Sequence, residues 1–339
     1  AFVSVQRGDT PGPTQVTSVS MPASITSLGE QVFLSCTGLK RITVDSNNTV
    51  LKDVDGVLFD KSGNKLIAYP NMRAANYDIP EGTVELGAAS FFMCNEIKNI
   101  NFPPTLKKIG MLAFGICSKM NEVTIPETVT DLGDFAFYNC TGLEKAIIKA
   151  NISELKRYMF SRCTALKEVS LPSTIEFIRT WAFGSCAAMK NIKLPDNLKG
   201  IEAEAFNGCE TLSEITLPAS LEQIGMYTFD GCKQLKCITC LRDTPLKGAA
   251  MGAGVFENVD KIACELKVPK GHRNEYAEAE QWGDFTRISE HDLSGISTII
   301  SQGSNTQTTI FTINGQRLPN NTQPSHGIYI INGKKVCVK

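Results

Sequence analysis

The sequence predicts an α/β solenoid, a chain wound into stacked coils, and three observations carry this prediction. Seven of the 12 cysteines follow one another at steps of 23 residues, from Cys94 to Cys232. A phenylalanine stands three residues before each of them, from Phe91 to Phe229. A proline keeps the same step, with Lys149 in place of one. A fixed period between 20 and 50 residues is the signature of a repeat architecture.

Each repeat begins with a short strand and continues into a second inward-facing segment. In LSEITLP, residues 212–218, apolar side chains alternate with Thr216, which predicts a strand with one buried side, and the proline ends it. The following segment presents Leu221 and Ile224 to the interior, and we expect Gly225 to let the chain turn. Stacked repeats then place these strands in parallel, about 4.8 Å apart.

The third part of the repeat carries the cysteine. The i, i+3 spacing of Phe229 and Cys232 predicts one helical or 3₁₀ turn with both side chains in the core. One thiol per coil forms a line, whereas a structural metal needs ligands that converge on one point. Equivalent side chains of stacked coils also point the same way, which disfavours disulfides between neighbouring coils. We therefore predict that these cysteines are small apolar core residues, reduced and buried.

The full pattern, Leu-x-x-Ile-x-Leu-Pro-x-x-Leu-x-x-Ile-Gly-x-x-x-Phe-x-x-Cys, resembles the BspA-like leucine-rich repeat family of bacterial surface and secreted proteins. The match covers about residues 17–240. The resemblance implies a non-enzymatic protein without cofactors, secreted or held at the cell surface. It also implies adhesion or protein binding through a solenoid face, with a host or bacterial surface protein as the partner. A structural spacer without a dedicated ligand and a glycan-binding module are the alternatives.

Two further segments resemble known parts of such arrays. Residues 55–70 resemble an inserted hairpin with its turn at residues 61–64, and residues 264–288 resemble the terminating module. The predicted solenoid domain therefore divides as follows: lead-in 1–20, about eight coils over 17–240 with the hairpin insertion near 45–79, and a C-terminal cap over 240–290, together residues 1–290.

The predicted cap contains a helical stretch at residues 272–282, and we expect Trp282 and Phe285 to cover the last coil. Cys240 and Cys264 form a candidate disulfide, because export favours oxidation and the bond would close the cap.

Residues 291–339 are predicted to be a linker and a small all-β unit. Asn-Gly pairs at residues 314–315 and 332–333 lie between alternating apolar runs, the pattern of tight hairpins, and about four strands are expected. The unit is similar to short C-terminal β modules of exported proteins of the same bacteria, which implies a role in export or attachment.

The outward strand positions are the candidate binding site. They form two columns that rise through the coils, with charges of alternating sign and no aromatic residue. Such a surface suits a protein partner, since an aromatic platform and a basic stripe, typical of glycan and nucleic-acid sites, are both missing from these columns. The candidate residues are Arg41, Asn99, Glu122, Lys145, Glu168, Asn191 and Glu214 in one column, and Thr124, Ser170, Lys193 and Thr216 in the other.

Other chemistry finds little support in the sequence. The formal net charge is −1, which argues against nucleic acid as a partner, and no apolar run reaches the 18 residues of a membrane span. The three histidines form no zinc or catalytic pair. DVDG at residues 53–56 lacks the later ligands of a calcium loop and predicts a turn, and the glycine-rich residues 247–256 predict a loop leading into the cap. RGD at residues 7–9 matches an integrin-recognition tripeptide, which also occurs often by chance.

Overall fold

The computed structural model describes residues 16–29, 31–34 and 36–291, together with the backbone of three strands beyond residue 309. The predicted lead-in up to residue 15, with its RGD tripeptide, and most of residues 292–339 lie outside the described residues. The elements are short, as expected when each coil contributes only a few residues to each side. The strands are β1 Ser18–Met21, β2 Arg41–Val44, β3 Leu51–Val54, β4 Val57–Asp60, β5 Lys65–Ala68, β6 Asn76–Asp78, β7 Glu85–Leu86, β8 Asn99–Asn101, β9 Lys108–Ile109, β10 Glu122–Ile125, β11 Asp131–Leu132, β12 Lys145–Ile148, β13 Glu154–Leu155, β14 Glu168–Ser170, β15 Phe177–Ile178, β16 Gly200–Ile201, β17 Glu214–Leu217, β18 Gln223–Ile224, β19 Cys237–Cys240, β20 Glu265–Pro269, β21 Arg287–His291, β22 Ile310–Thr312, β23 Gly327–Ile331 and β24 Lys334–Val338.

Each coil has three sides, two built from strands and one from turns. The first side stacks β1–β2, β6–β8, β10–β12–β14 and β17–β19–β20–β21, all in parallel. The second side stacks the two-residue strands from β7 to β18, again in parallel. Partners such as Glu122 and Lys145 differ by one repeat of 23 residues, so equivalent positions lie directly above one another. The predicted solenoid with parallel strands is confirmed.

The α/β label is wrong, because the described residues contain very little helix. The helix α1, Arg273–Ala277, and one 3₁₀ turn, Gly248–Ala250, both lie near the C-terminal end of the solenoid. The Phe-x-x-Cys segments do form single i, i+3 turns, such as the bond from the Cys232 amide to the Phe229 carbonyl. Left-handed residues on either side of the Phe prevent these turns from continuing as helix, and alternate amides bond the next coil instead.

A ladder of stacked rings fills the centre of the solenoid. Successive ladder phenylalanines lie 4.9–5.9 Å apart between ring centroids and within 22° of parallel, from Phe91 to Phe256. All of them are buried. Tyr69 begins the ladder, 4.8 Å from Phe91. The ring separations exceed the ~4.8 Å between paired strands, which places the rings in the favourable offset arrangement.

The cysteines form a second ladder beside the rings. From Cys117 to Cys232, each thiol donates to the carbonyl of the ladder phenylalanine in the preceding coil, at Sγ–O distances of 3.0–3.3 Å. Every cysteine from Cys36 to Cys264 is a free thiol in this structure. The prediction that these cysteines are buried core residues is confirmed, and the hydrogen bond to the preceding coil adds a reason for cysteine that alanine lacks.

The inserted hairpin joins the second side rather than looping away from it. β4 and β5 pair in antiparallel fashion across the turn at residues 61–64, as predicted, and β5 continues in parallel with β7. Asp55 and Gly56 form the tight turn between β3 and β4, both with positive φ, so the predicted turn in DVDG is confirmed. The Gly56 carbonyl accepts from the Ile42 amide, which ties the hairpin to the first coils.

The C-terminal end is closed by aromatic side chains. Trp282 and Phe285 are both buried and lie edge-on to Phe256, at 5.0 and 5.2 Å between ring centroids, as the sequence predicts. The Trp282 indole N–H donates to the Leu246 carbonyl at 3.1 Å. The glycine-rich residues 247–256, predicted to form a loop, also contain Phe256, which is the last ring of the ladder.

The candidate disulfide between Cys240 and Cys264 is wrong. β19 and β20 pair with Cys237 opposite Glu265, so Cys264 lies beside residue 236, and Cys240 stands four residues farther along. At about 3.3 Å per residue this offset is roughly 13 Å, well beyond the Cα separation of a disulfide.

Both predicted ends need adjustment. β1 begins at Ser18 and pairs with β2, so the loose lead-in does not extend to residue 20. The helix in the cap is five residues long, against the eleven predicted at residues 272–282. Beyond the solenoid, β22, β23 and β24 pair in antiparallel order, while the remainder of the predicted C-terminal unit lies outside the described residues.

Candidate functional site

The predicted columns lie on the first side of the solenoid and face outward. Glu122, Lys145 and Glu168 occupy one register, as do Thr124 and Ser170 in the next column. In each of these strands the residue between the two columns turns inward or packs on the core, as Ala146 does. The exposed or half-exposed members are Arg41, Asn99, Glu122, Lys145, Glu168, Asn191, Glu214, Thr124, Ser170, Lys193 and Thr216. We call this surface the sheet face.

Charges on the sheet face partly neutralise one another. Lys145 Nζ lies 3.2 Å from Glu168 Oε2, and both side chains are well exposed. Farther toward the N-terminus, Asn99 donates to Asn76 Oδ1 at 2.7 Å, one coil away. Exposed pairs of this kind contribute at most about 1 kcal/mol each to stability. They leave a polar surface without a strong field of either sign.

The sheet face is interrupted near its centre. Residues 191–193 form no strand, although they stand between β14 and β17 in the stack. A shallow depression of about 230 Å³ opens there. This volume is below the 300–1,000 Å³ typical of small-ligand pockets, and it suits a single side chain of a partner. Its lining includes Lys145, Ile147, Glu168, Ser170, Asn191 and Lys193.

The thiols are not disposed for nucleophilic chemistry. Burial raises the pKa of Cys209 to about 12, and the pKa of Cys94 is raised by burial as well. A protonated and inaccessible thiol is a poor nucleophile. Within residues 16–291, apart from the two masked positions, no cluster of three or more metal-ligating side chains is found. In the same part of the chain, no helix has the length and apolar character that crossing a bilayer requires.

A second departure from the repeat lies where the second side meets the turns. In most coils a glycine follows the second strand because the neighbouring coil passes too close: a Cβ on Gly225 would lie 2.2 Å from the Ala203 nitrogen. Gly225 has no positive φ, so its predicted role in turning the chain is wrong. Three consecutive coils carry Lys156, Arg179 and Glu202 at this position instead.

These charged side chains form one ion-pair network with Glu154. Arg179 bridges Glu154, through Nε at 2.6 Å, and Glu202, through Nη1 at 2.7 Å, and Lys156 also pairs with Glu154. Partial burial raises the pKa of Glu154, but hydrogen bonds from Lys156 and Arg179 outweigh it and hold the pKa below its usual value. The pKa of Glu202 is lowered by the same balance, with Arg179 and Thr180 as donors.

Aromatic side chains occupy the third side of two of these coils and of the coil before them. The residue two places before the ladder phenylalanine has φ near +55° in every coil, and here it is Phe135, Tyr158 and Trp181. Their rings stack, with centroids 4.5 Å apart for the first pair and 6.0 Å for the second. Neither this stack nor the ion-pair network was predicted, because the candidate residues came from the strand columns alone. Aligning the repeats position by position at the 23-residue period would have shown both as departures.

Comparison with known proteins places this fold in a family. The sequence model of the "BspA type Leucine rich repeat region" matches in six copies, over residues 12–72, 65–190 and 154–274. A comparison with curated proteins gives no match.

Two examples illustrate the solved structures that are similar to this chain. One is a leucine-rich repeat protein from Eubacterium ventriosum, 28% identical, with a TM-score of 0.61, covering 63% of this chain and 58% of that one. The other is a leucine rich cell surface protein from Faecalibacterium prausnitzii, 25% identical, with a TM-score of 0.37, covering 67% of this chain and 48% of that one. The chain thus spans about half the length of these relatives. With the stacked coils, their 23-residue register and the family match over residues 12–274, the chain belongs to the BspA-type leucine-rich repeat family.

Proposed function

We propose that this chain is a non-enzymatic, secreted or cell-surface protein that binds a partner protein through its sheet face. One observation carries the proposal: several successive coils contribute aligned, outward polar side chains to one side of the solenoid, and a depression of side-chain size opens near its centre. The extended surfaces of repeat proteins are built for binding in this way. Membership in a family typical of bacterial surface proteins supports the location.

The chemistry of the depression favours a polar protein surface. Asn191 and Lys193 stand at its rim, and neither side chain is hydrogen-bonded or ion-paired to another described residue. Ser170 adds a hydroxyl and Ile147 an apolar contact beside them. A partner side chain with an acceptor group would find donors here, while the Lys145–Glu168 pair at the edge disfavours a strongly charged partner of either sign.

The test requires a partner and a matched pair of variants. Pull-down from the surface proteins of host cells and of neighbouring bacteria supplies the partner. Glu122→Ala, Lys145→Ala and Glu168→Ala in one chain then remove the charges of three adjacent coils. Because several residues share the surface, we expect a loss of tenfold or more in affinity, with an unchanged circular dichroism spectrum.

The matched control removes the same charges elsewhere. Glu210 and Lys233 form an equally exposed ion pair on another column, 2.8 Å apart, and Glu257 is exposed in the coil that follows. Changing these three to alanine alters the net charge by the same amount, and we expect affinity to be kept. Equal affinity in both variants would remove the sheet face as the site. A chain for which no screen yields a partner would instead support the spacer alternative.

We also propose that the predicted unit over residues 291–339 serves export or attachment. It lies beyond the family match, which ends at residue 274. Deleting residues 292–339 should therefore change where the protein resides and leave binding through the sheet face intact.

A further inference from the structure

The aromatic cluster on the third side differs from the rest of the surface. We define the aromatic ridge as Phe135, Tyr138, Tyr158 and Trp181, all half-buried. Tyr138 joins the stack edge-on, 5.7 Å from Phe135 at 74°. The four residues come from three consecutive coils, and the two coils that carry Tyr158 and Trp181 have Lys156 and Arg179 in place of the glycine. Departures from the repeat therefore concentrate in one region.

The rings present edges and polar atoms rather than faces. Phe135 and Trp181 cover the two faces of Tyr158, with interplanar angles of 3° and 6°. The hydroxyls of Tyr138 and Tyr158 have no hydrogen-bond partner within the described part of the chain, and neither has the Trp181 indole nitrogen. Sugars stack on open ring faces, and the stacking of these rings on one another covers most of those faces. Edges with free donors suit the irregular surface of a protein segment.

The guanidinium groups of two arginines beside the ridge have no carboxylate partner. Arg157 and Arg162 are exposed, and the Arg162 guanidinium lies 6.0 Å from the centre of the Tyr138 ring. Among residues 36–291, neither guanidinium group forms an ion pair, in contrast to that of Arg179 between its two glutamates, whereas the Arg157 backbone amide donates to Asp134 Oδ1 at 3.1 Å. The ridge therefore carries two guanidinium groups that are free of ion pairs within the described residues, with the Asp134 carboxylate held beside one of them.

We propose that the aromatic ridge, with Arg157 and Arg162, binds an acidic segment of a partner protein. Tyrosine, tryptophan and arginine are the side chains that dominate binding energy at protein interfaces. Carboxylates of such a segment would form bidentate pairs with the guanidinium groups, while its apolar side chains pack on the ring edges. The ridge and the sheet face are on different sides of the coil, so this inference does not rest on the proposed function.

The experiment uses the full chain and a random copolymer of glutamate and tyrosine as the probe, with polyglutamate as a charge-only probe. Tyr158→Asn with Trp181→Asn removes two rings at left-handed positions, which asparagine tolerates. We expect this variant to bind the copolymer at least tenfold more weakly, and Arg157→Ala with Arg162→Ala to lose both affinity and its dependence on salt. Thermal melting and circular dichroism establish that the variants are folded.

Matched controls separate the ridge from general surface effects. Met226→Asn with Tyr227→Asn alters two exposed side chains, of which Tyr227 stands in the same column two coils beyond Trp181 and also has a positive φ. Lys190→Ala with Lys236→Ala removes two exposed positive charges elsewhere. Both should bind like the unaltered chain, and so should the sheet-face triple variant, which keeps the two proposals distinguishable.

Four outcomes overturn the assignment. They are no binding of the copolymer by the unaltered chain at up to about 1 mM, equal binding of polyglutamate, equal losses in the controls, and binding on a glycan array that the ring variant abolishes. The last outcome would assign the ridge to carbohydrate instead.

Discussion

Removing one ring from the central ladder tests how the fold is held together. Phe206 is fully buried, and its ring lies 5.4 Å from Phe183 and 5.5 Å from Phe229. Emptying a buried phenylalanine site costs about 3–5 kcal/mol. Because two stacked pairs, each worth roughly 0.5–1.5 kcal/mol, are lost with this ring, Phe206→Ala should fall in the upper part of that range, at about 4–5 kcal/mol.

Guanidinium unfolding followed by circular dichroism measures this loss. Because coils depend on their neighbours, thiol labelling of the variant should rise first at Cys209, whose thiol donates to the Phe183 carbonyl, and later at distant Cys117. Phe177→Ala is the control, since that ring is half-buried under the Arg179 guanidinium and should cost about 1 kcal/mol. A loss below about 1 kcal/mol at Phe206, or equal labelling along the whole ladder, would refute the reasoning.

Three further predictions follow from the core and the ion-pair network. Cys163 should resist alkylation in the native protein and react after denaturation without reductant; a disulfide-linked peptide containing it would contradict the packing role. Gly225→Ala should destabilise by about 1–3 kcal/mol, because the new Cβ would meet the Ala203 nitrogen, and a neutral effect would show that the coils can separate at no cost. The pKa of Glu202 is lowered in the folded state, so its contribution is present above the ordinary value of 4.5 and is lost as the pH falls through the folded pKa. Stability measured between pH 6 and pH 3 should thus fall less steeply in Glu202→Gln than in the unaltered chain, and parallel curves would mean that the pairing with Arg179 has no energetic weight.

Much of the fold could be predicted because one period governs it. A strict 23-residue step fixes the register of stacked coils, so the inward role of Phe and Cys and the outward role of Glu122 and Lys145 follow from counting alone. The same reasoning explains the correct prediction that Trp282 and Phe285 cover the last ring, since an exposed apolar end must be closed.

Other features depend on contacts that the period does not reveal. Position 225 requires glycine because the backbone of the neighbouring coil lies too close for a Cβ atom. Only the structure shows how close that backbone lies. The strand register separates Cys240 from Cys264 along the sheet, and the spacing of the two cysteines in the sequence does not reveal that register. Left-handed φ at Phe135 and Tyr158 could not be expected from bulky residues, because the cost of that conformation is outweighed only by the stacking of complete coils.

Photo-crosslinking tests the binding role of the sheet face most directly. Benzoylphenylalanine placed at Thr124, Ser170 or Thr216, three outward positions of different coils, reports any protein that rests on this side. The proposal predicts that all three positions capture the same partner from a mixture of surface proteins, while benzoylphenylalanine at Lys233 captures none. Capture of the same partner at Lys233, with none at the three sheet-face positions, would contradict it.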